Sequence, residues 1–542
     1  MSSKTMRGAD WLLSGLKEAG VKTIFSLSGN QIMPVYDAAL DADVRLIHTR
    51  HEGAAVYMAE AAAQLTGEVG VALLTAGPGF ANALSAMYTA KESETALVVL
   101  SGDSPRARDR HGAFQELDQC AAAAPMVKAS FRARAGVELK TDIQRAIALA
   151  KHGRPGPVHL ALPDDVLRQT GEQSSESCVV KTADLEPLSA EQISTIGEAV
   201  QAAERPMIVL GPDFCRPGAK ADVAATSKQL NVPCIAFESP RGLRAPRLGA
   251  FAEVLGNSDL IIAIGKPLNF MVGFGDDTIL HDGCRVIQID PDASVLSQDH
   301  ARLGNRLALQ VQSDARQALT EIREKLTKHP TNGWVEEVEA AISYRPASWD
   351  EESATPASIG PVQFAKAIAP WVSKSPDASF IVDGGEIGQW CQALLDSHRA
   401  MINGPSGAIG GSIPYAIGAK AVRPEEPAIT IMGDGTAGFY LAEFETAVRE
   451  NTPLVAIIGN DAKWNAEHQI QIREFGADRT HSCELTAARY DRVAAELGGH
   501  GEFVTSFAEL GPALERAFAA NKPACVNVMI EGEAAPTIKR AG

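Results

Sequence analysis

Short apolar runs rich in Val and Ile recur along the chain, separated by stretches with apolar residues at helical spacing. They are GVALLTAG (70–77), ALVVLSGD (96–103), PVHLALP (157–163), PMIVLGP (206–212), DLIIAIG (259–265), RVIQIDP (285–291), SFIVDGG (379–385), AITIMGDG (428–435), LVAIIGND (454–461) and ACVNVMI (524–530). A run apolar at every position predicts a strand covered on both faces. Alternation of such strands with helices predicts parallel sheets, hence an α/β fold. Two polar stretches rich in Ser, Pro and Glu, at 168–187 and 345–360, read as linkers. They divide the chain into three doubly wound parallel-sheet domains, expected at 1–170, 188–342 (Rossmann-like) and 358–542.

The pattern in the third domain is the most informative. AITIMGDG reads as a strand ending at Gly433-Asp434-Gly435. TAGFYLAEFETAVREN follows with Phe439, Leu441, Phe444 and Val448 at helical spacing, and Asn451-Thr452-Pro453 stops the helix. LVAIIGND is the next strand. Such a β-α-β unit crosses over right-handed, so the two strands run parallel. Asp434 and Asp461, 27 residues apart, then meet at the carboxyl end of the sheet, where open α/β sheets bind ligands. Glycines beside Asp434 permit close backbone approach. A helix starting near Thr436 aims free N–H groups at an anion. Carboxylate and carbonyl oxygens beside phosphate oxygens suit Mg²⁺, which offsets the repulsion between two Asp and a diphosphate. Read alone, G-D-G is equally a turn and Asn460-Asp461 a helix cap.

In the first domain, Glu52 follows the predicted strand VRLIH and opens an alanine-rich helical stretch, EGAAVYMAEAAAQLTG. A lone Glu there also reads as a first-turn residue that complements the helix dipole.

Composition narrows the function classes. The 542 residues carry a formal net charge of −17, which argues against nucleic acid or an anionic membrane as the main partner. No apolar run reaches the ~18 residues of a membrane span, and the first residues show no signal-peptide pattern, so the expected location is cytoplasmic. The eight cysteines are scattered without C-x-x-C and read as reduced thiols.

Together, G-D-G with an Asn-Asp pair one β-α-β unit later resembles the thiamine-diphosphate motif. The resemblance to that enzyme superfamily (the acetolactate synthase, benzaldehyde lyase, 2-hydroxyacyl-CoA lyase and oxalyl-CoA decarboxylase groups) extends over essentially the whole chain. It implies Mg²⁺ ligands Asp434, Asp461 and the Lys463 carbonyl, although relatives usually carry Asn where Asp461 stands. GPSGAIGGSIPYAIGAKA (404–421) is similar to the segment bearing an apolar wedge under the thiazolium, here Ile409. DGGEIGQW (383–390) resembles the diphosphate loop, which brings in Gly384, Gly385 and Glu386. Gly433, Gly435, Thr436 and Trp464 complete the implied cofactor contacts of this half.

R-H-E-x-x-A at 50–55, TAGPGFANAL (75–84) and GAFQELDQ (112–119) resemble the pyrimidine-binding half. The resemblance makes Glu52 the carboxyl beside pyrimidine N1′, with Thr75, Pro78, Gly79 and Asn82 on the pyrimidine. Gln115 is expected to face the substrate, with Phe114 packed against it. Ser28 stands where relatives carry a small residue or a catalytic His. The lone His111, without a His-His pair, counts against a pyruvate-decarboxylase-like enzyme.

In relatives the central domain holds FAD, an adenine nucleotide (ADP or coenzyme A) or nothing, and here it lacks G-x-G-x-x-G. GKPLNFMVGFG (265–275) resembles the acyl-CoA group, in which Arg241 and Lys266 would meet phosphates; solvated surface charges are the other reading. The implied activity is that of a C–C lyase or carboligase acting next to a carbonyl, most like 2-hydroxyacyl-CoA lyase or benzaldehyde lyase, with an acetolactate synthase-like 2-keto acid decarboxylase or carboligase as the alternative. Its substrate would be a 2-hydroxyacyl-CoA, a 2-hydroxy ketone or a 2-keto acid. The family's two halves meet across a subunit interface, so a homodimer is the expected minimum and a homotetramer the expected form. A flavin or nicotinamide oxidoreductase and a non-catalytic binding subunit are the alternatives, the first disfavoured by the missing fingerprint and the second by Glu52.

Overall fold

The computed structural model describes residues 6–172, 185–330, 333–350 and 358–540. Cys178, most of the first linker and the middle of the second lie outside the described residues. Every apolar run named above is a strand, and all strand pairs within the three large sheets are parallel. The first sheet runs Arg45–His48, Thr23–Ser26, Gly70–Leu74, Leu97–Asp103, Pro157–Pro163, Ala129–Arg132. The third runs Arg399–Ile402, Ser379–Val382, Ala428–Gly433, Val455–Asn460, Ala524–Met529, His500–Val504. Numbered along the chain, both have the order 2-1-3-4-6-5, so they are topological copies of one another. The middle sheet follows 2-1-3-4-5.

Apart from the short interior strand Thr23–Ser26, most strands that the apolar runs did not mark have a shared cause. Ala129–Arg132, Cys234–Ala236, Leu307–Gln312, Arg399–Ile402 and His500–Val504 are all sheet edges. An edge strand keeps polar residues where a neighbour would otherwise cover it, and Ala129–Arg132 is only half-buried along its length. The helix expected over TAGFYLAEFETAVREN differs more. It is two pieces, Asp434–Ala437 and Glu443–Arg449, joined by a turn. Phe439 lies in that turn and is 54% exposed, so it is not a core residue. Its ring meets Trp464 edge-on at 6.4 Å, beside the G-D-G turn.

The first and third sheets are joined within one chain by two helices, Glu52–Thr66 and Ser412–Val422, whose apolar side chains share one core. Small residues allow the contact. A Cβ on Gly418 would sit 2.3 Å from the Met58 carbonyl oxygen. Glu60, buried there, accepts hydrogen bonds from Tyr415 Oη (2.8 Å) and Gln64 Nε2 (3.1 Å). Its carboxyl is pushed up to about 7, mainly by burial. No helix among the described residues is long and apolar enough to cross a membrane.

Candidate active site

In the third sheet the strand order reverses between Ser379–Val382 and Ala428–Gly433, which makes their carboxyl ends the crevice where such sheets take ligands. Gly384 and Gly385 leave the first strand and Asp434 leaves the second. Helices Glu386–Leu394 and Asp434–Ala437 both begin there and turn unpaired N–H groups into the same space. Pairing of Gly433 with Gly459 brings the end of Val455–Asn460 alongside, so Asp461 arrives opposite Asp434. Gly385, Glu386, Ile409, Gly433, Asp434, Gly435, Thr436, Asp461, Lys463 and Trp464, all expected from the sequence, line one cavity of about 80 Å³, together with Glu467. Gly384 sits directly behind it. A Cβ there would be 2.2 Å from Ile409 Cγ2, so the isoleucine leans on this glycine. Gly435 is needed for a similar reason, since its Cβ would strike the Trp464 ring at 2.8 Å.

The Asn-Asp pair divides its work. Asn460 is fully buried and faces inward, donating to Asn527 Oδ1 (3.1 Å) and Ala488 O (3.2 Å) and accepting from Ala462 N–H (3.1 Å). Ala462 adopts a left-handed φ of 55°, which folds the next residues back. Trp464 N–H donates to Cys483 O and Leu485 N–H to Ala462 O, both at 2.7 Å, around the antiparallel bridge Lys463–Glu484. Lys463 is thereby a non-hydrogen-bonded partner in that ladder, and its own N–H and C=O face the other way. The N–H donates to Asp461 Oδ1 at 3.1 Å.

Asp434 is 1% exposed, and its Oδ2 has no hydrogen-bond partner. Burial and the facing Asp461 raise its carboxyl above the usual carboxylate range, and Asp461 is also raised, chiefly by burial. A buried carboxyl facing a half-buried one, with an orphan oxygen and a carbonyl beside them, fits a divalent cation with oxygen ligands. The described residues hold no cluster of three or more His, Cys, Asp or Glu, so the remaining ligands of such a cation must come from backbone, diphosphate and water.

A pH dependence follows. A carboxyl raised in the folded chain holds a proton at neutral pH that the unfolded chain has lost. Its contribution to the stability of the metal-free protein is therefore present at lower pH and disappears as pH rises through the raised value. A cation must displace the same proton, so metal affinity rises with pH. Asp461→Asn removes the like charge and should flatten both trends, with activity kept and cofactor bound at least as tightly. Thermal melting of the metal-free chain across the neutral range checks this; an undiminished slope in the variant would contradict it.

In the first sheet, the equivalent crevice lies between Thr23–Ser26 and Gly70–Leu74. Glu52 opens its helix, capped by the His51 ring, whose Nδ1 accepts from Gly53 N–H at 3.0 Å. The carboxyl is 8% exposed and accepts from Asn82 Nδ2 at 3.0 Å. Pro78 starts the short helix Pro78–Asn82 that supplies this partner. A Cβ on Gly79 would lie 2.5 Å from Thr75 Cγ2 and 3.0 Å from Glu52 Oε1, so the glycine makes room for both. Gln115, at a left-handed φ of 60°, packs on Gly77. Gln31, which the motifs did not mark, links Thr75 Oγ1 (3.0 Å) to Gln115 Oε1 (2.8 Å). Ser28 Oγ lies 3.0 Å from Nε2 of His48, another side chain the sequence reading passed over. Burial, with Arg449 and Arg50 nearby, lowers the His48 pKa. Phe114, expected to pack against Gln115, is 73% exposed. None of the residues lining the diphosphate cavity comes from this first domain.

One expectation for the central domain, that for Lys266, is corrected. Lys266 is fully buried, bonded to Asn269 Oδ1 (2.8 Å) and Pro267 O (3.0 Å), and burial lowers it to about 7; it is neither a surface charge nor a phosphate contact. Arg241 is engaged by Glu386 Oε2 at 3.0 Å, which ties the central domain to the diphosphate loop. At the central switch point a crevice of about 510 Å³ is lined by Lys151, Arg154, Arg216, Arg316, Arg399 and Arg423. Each of these is ion-paired, with Glu68, Glu94 and Asp290, Glu238, Asp213, Glu426 and Glu426 respectively. The crevice therefore offers a polyphosphate no unpaired charge, and the FAD and adenine-nucleotide expectations gain no support. A larger cavity, about 750 Å³, lies over the edge strand Cys234–Ala236. The small cavity is the candidate site nonetheless, because the orphan carboxylate and two helix N-termini converge there.

Comparison with known proteins agrees with this geometry. Residues 6–122 match the thiamine pyrophosphate enzyme N-terminal TPP binding domain, 193–322 the central domain and 383–528 the C-terminal TPP binding domain. An acetolactate synthase large subunit from Mycobacterium tuberculosis is 30% identical over 98% of this chain and 96% of its own length. The 2-hydroxyacyl-CoA lyase 2 of Homo sapiens is 28% identical over 91% of this chain and 84% of its own. A solved structure, the thiamine diphosphate-dependent 4-hydroxybenzoylformate decarboxylase of Rhodococcus jostii RHA1, superposes with a TM-score of 0.82 at 22% identity, covering 97% of this chain and 100% of that one.

Proposed function

Because the chain belongs to the thiamine pyrophosphate enzyme family, whose members make or cleave C–C bonds, we propose that it is a Mg²⁺-dependent C–C lyase or carboligase acting next to a carbonyl. The observation that carries the reading is the Asp434–Asp461 pair with its buried orphan oxygen at two helix N-termini. When bound, thiamine diphosphate supplies a nucleophilic carbon that adds to a carbonyl and an electron sink for the bond that breaks.

The chain's own residues do the rest. Asp434, Asp461 and the Lys463 carbonyl would hold the cation, while Gly385, Glu386 and Thr436 would present N–H groups to the diphosphate; the Gly384 N–H is taken by Asp383 Oδ1 at 2.6 Å, so Gly384 would serve as the glycine on which Ile409 leans. Trp464 and Ile409 would wall the site against water, with Ile409 as the apolar wedge under the thiazolium. Glu52 holds a proton at pyrimidine N1′. Its neighbours Thr75, Pro78, Gly79 and Asn82 orient the ring, and Gln115 and Ser28 face the substrate. The family resemblance implies that Glu52 of one chain would serve the cavity of a second, in a homodimer or a tetramer of two such dimers, and the lining by residues 385–467 alone is compatible with this.

Small donors, a 2-hydroxy ketone or a 2-keto acid, are favoured over a 2-hydroxyacyl-CoA, because the two cations expected to meet phosphates are engaged elsewhere. The acetolactate synthase-like reading is the second one, favoured by the 30% identity to that relative. The test is a screen of 2-keto acids, benzoin-type ketones and 2-hydroxyacyl-CoAs with the loaded protein, reading CO₂, aldehyde and formyl-CoA. Release of CO₂ or aldehyde from the small donors is the expected result. Formyl-CoA as the only product would overturn the choice of donor.

A further inference from the structure

We propose that Glu443, on the helix between the two aspartates of the diphosphate motif, is a positioning residue for Glu52 of its own chain. The proposal rests on the reading of Glu52 as the proton-holding carboxyl. Glu443 is 1% exposed. Its Oε1 accepts the Arg50 N–H at 3.0 Å, its carboxylate also takes the His51 N–H, and Oε2 accepts from Thr446 Oγ1 at 2.6 Å. Arg50 and His51 are the two residues immediately before Glu52, and their amides precede the first turn of the helix it opens. No intrahelical carbonyl is available to them, so the carboxylate from another domain is what holds this loop.

The surroundings act in the same direction. Arg449, on the same helix as Glu443, donates to the His48 carbonyl, and Arg45 pairs with Glu450 at 2.8 Å. The Tyr440 hydroxyl is packed so closely on Gly53 that a Cβ there would lie 2.4 Å from it. Residues 440–450 thus grip 45–53 from one side while Asn82 holds the Glu52 carboxyl from the other. Burying a carboxylate is costly unless its partners are fixed, and the two amide donors and a hydroxyl are those partners. A shift of Glu52 by about 1 Å is enough to cost a large factor in rate.

The experiment compares the parent with Glu443→Gln, Glu443→Asp, Glu52→Gln and the double variant Glu52→Gln/Glu443→Gln. In the cofactor-free chain, amide hydrogen exchange of residues 45–53 is read by mass spectrometry. In the loaded protein, hydrogen–deuterium exchange at C2 of thiamine diphosphate and the cofactor Kd are read. Glu443→Gln should speed amide exchange over 45–53 and slow C2 exchange ~10-fold or more, with Kd within about twofold. Glu443→Asp, which keeps the charge one methylene short, should fall between. The double variant should be no slower than Glu52→Gln alone, because a residue acting through Glu52 has nothing left to position. Unchanged amide or C2 exchange in Glu443→Gln, or losses that multiply in the double variant, would overturn the proposal while leaving Glu52 in place. If Glu52→Gln itself left C2 exchange intact, the reading of Glu52 would fall and this role for Glu443 with it.

Discussion

Glu52→Gln is expected to lower turnover by ~10²-fold or more, the usual scale of general acid–base catalysis, with fold and cofactor affinity unchanged. The argument is local. Glu52 is buried at a helix start, and its carboxyl accepts from the side-chain amide of Asn82. Glutamine preserves the shape and still accepts from Asn82, so packing and the helix cap stay as they are. What it loses is the ability to take up and release a proton at pyrimidine N1′. A purely first-turn role would predict the opposite pattern, a few tenths of a kcal/mol of stability and no loss of rate. Steady-state kinetics alongside thermal melting separates the two.

Asp434→Asn is the second large effect, and its two consequences have opposite signs. Asp434 is buried against Asp461 with one oxygen unpaired, an arrangement that costs the metal-free chain stability above the raised pKa of the pair. Neutral asparagine relieves that repulsion, so the metal-free variant should melt at the same temperature or higher at pH 8. Cation and diphosphate binding should weaken by ~10²-fold or more, because even residues that only support a metal ligand cost 10–100-fold. The stabilisation that cofactor and Mg²⁺ give the parent should therefore vanish in the variant. Melting scans with and without cofactor and Mg²⁺ report both signs at once; a variant that melts lower when metal-free and still responds to cofactor would contradict the assignment.

Much of this was legible in the sequence because the chemistry sits where apolar runs end. Buried strands announce themselves by composition, and their last residues point to the crevice: Asp434 and Asp461 were placed there in this way, whereas Gly384 and Thr75 came from the family resemblance of their segments. Edge strands were not, since half-exposed backbone carries a mixed pattern. The helix after Asp434 was read as continuous because Phe439 fits the helical period. It leaves the core for the cavity mouth, against Trp464, and periodicity carries no information about that choice. Gln31 and His48 escaped because each acts through a side chain already marked, Gln115 and Ser28, that lies far away in sequence. Lys266 was misread for the converse reason: a lysine after a strand looks solvated, and only packing shows that Asn269 and the Pro267 carbonyl have drawn it inside.

Equilibrium binding of thiamine diphosphate to the purified chain, by calorimetry with Mg²⁺ and then with excess EDTA, tests the central claim most directly. The account predicts one cofactor bound per chain with Mg²⁺, and affinity lost in EDTA and in Asp434→Asn. Binding indifferent to both Mg²⁺ and Asp434, or no binding at all, would contradict it.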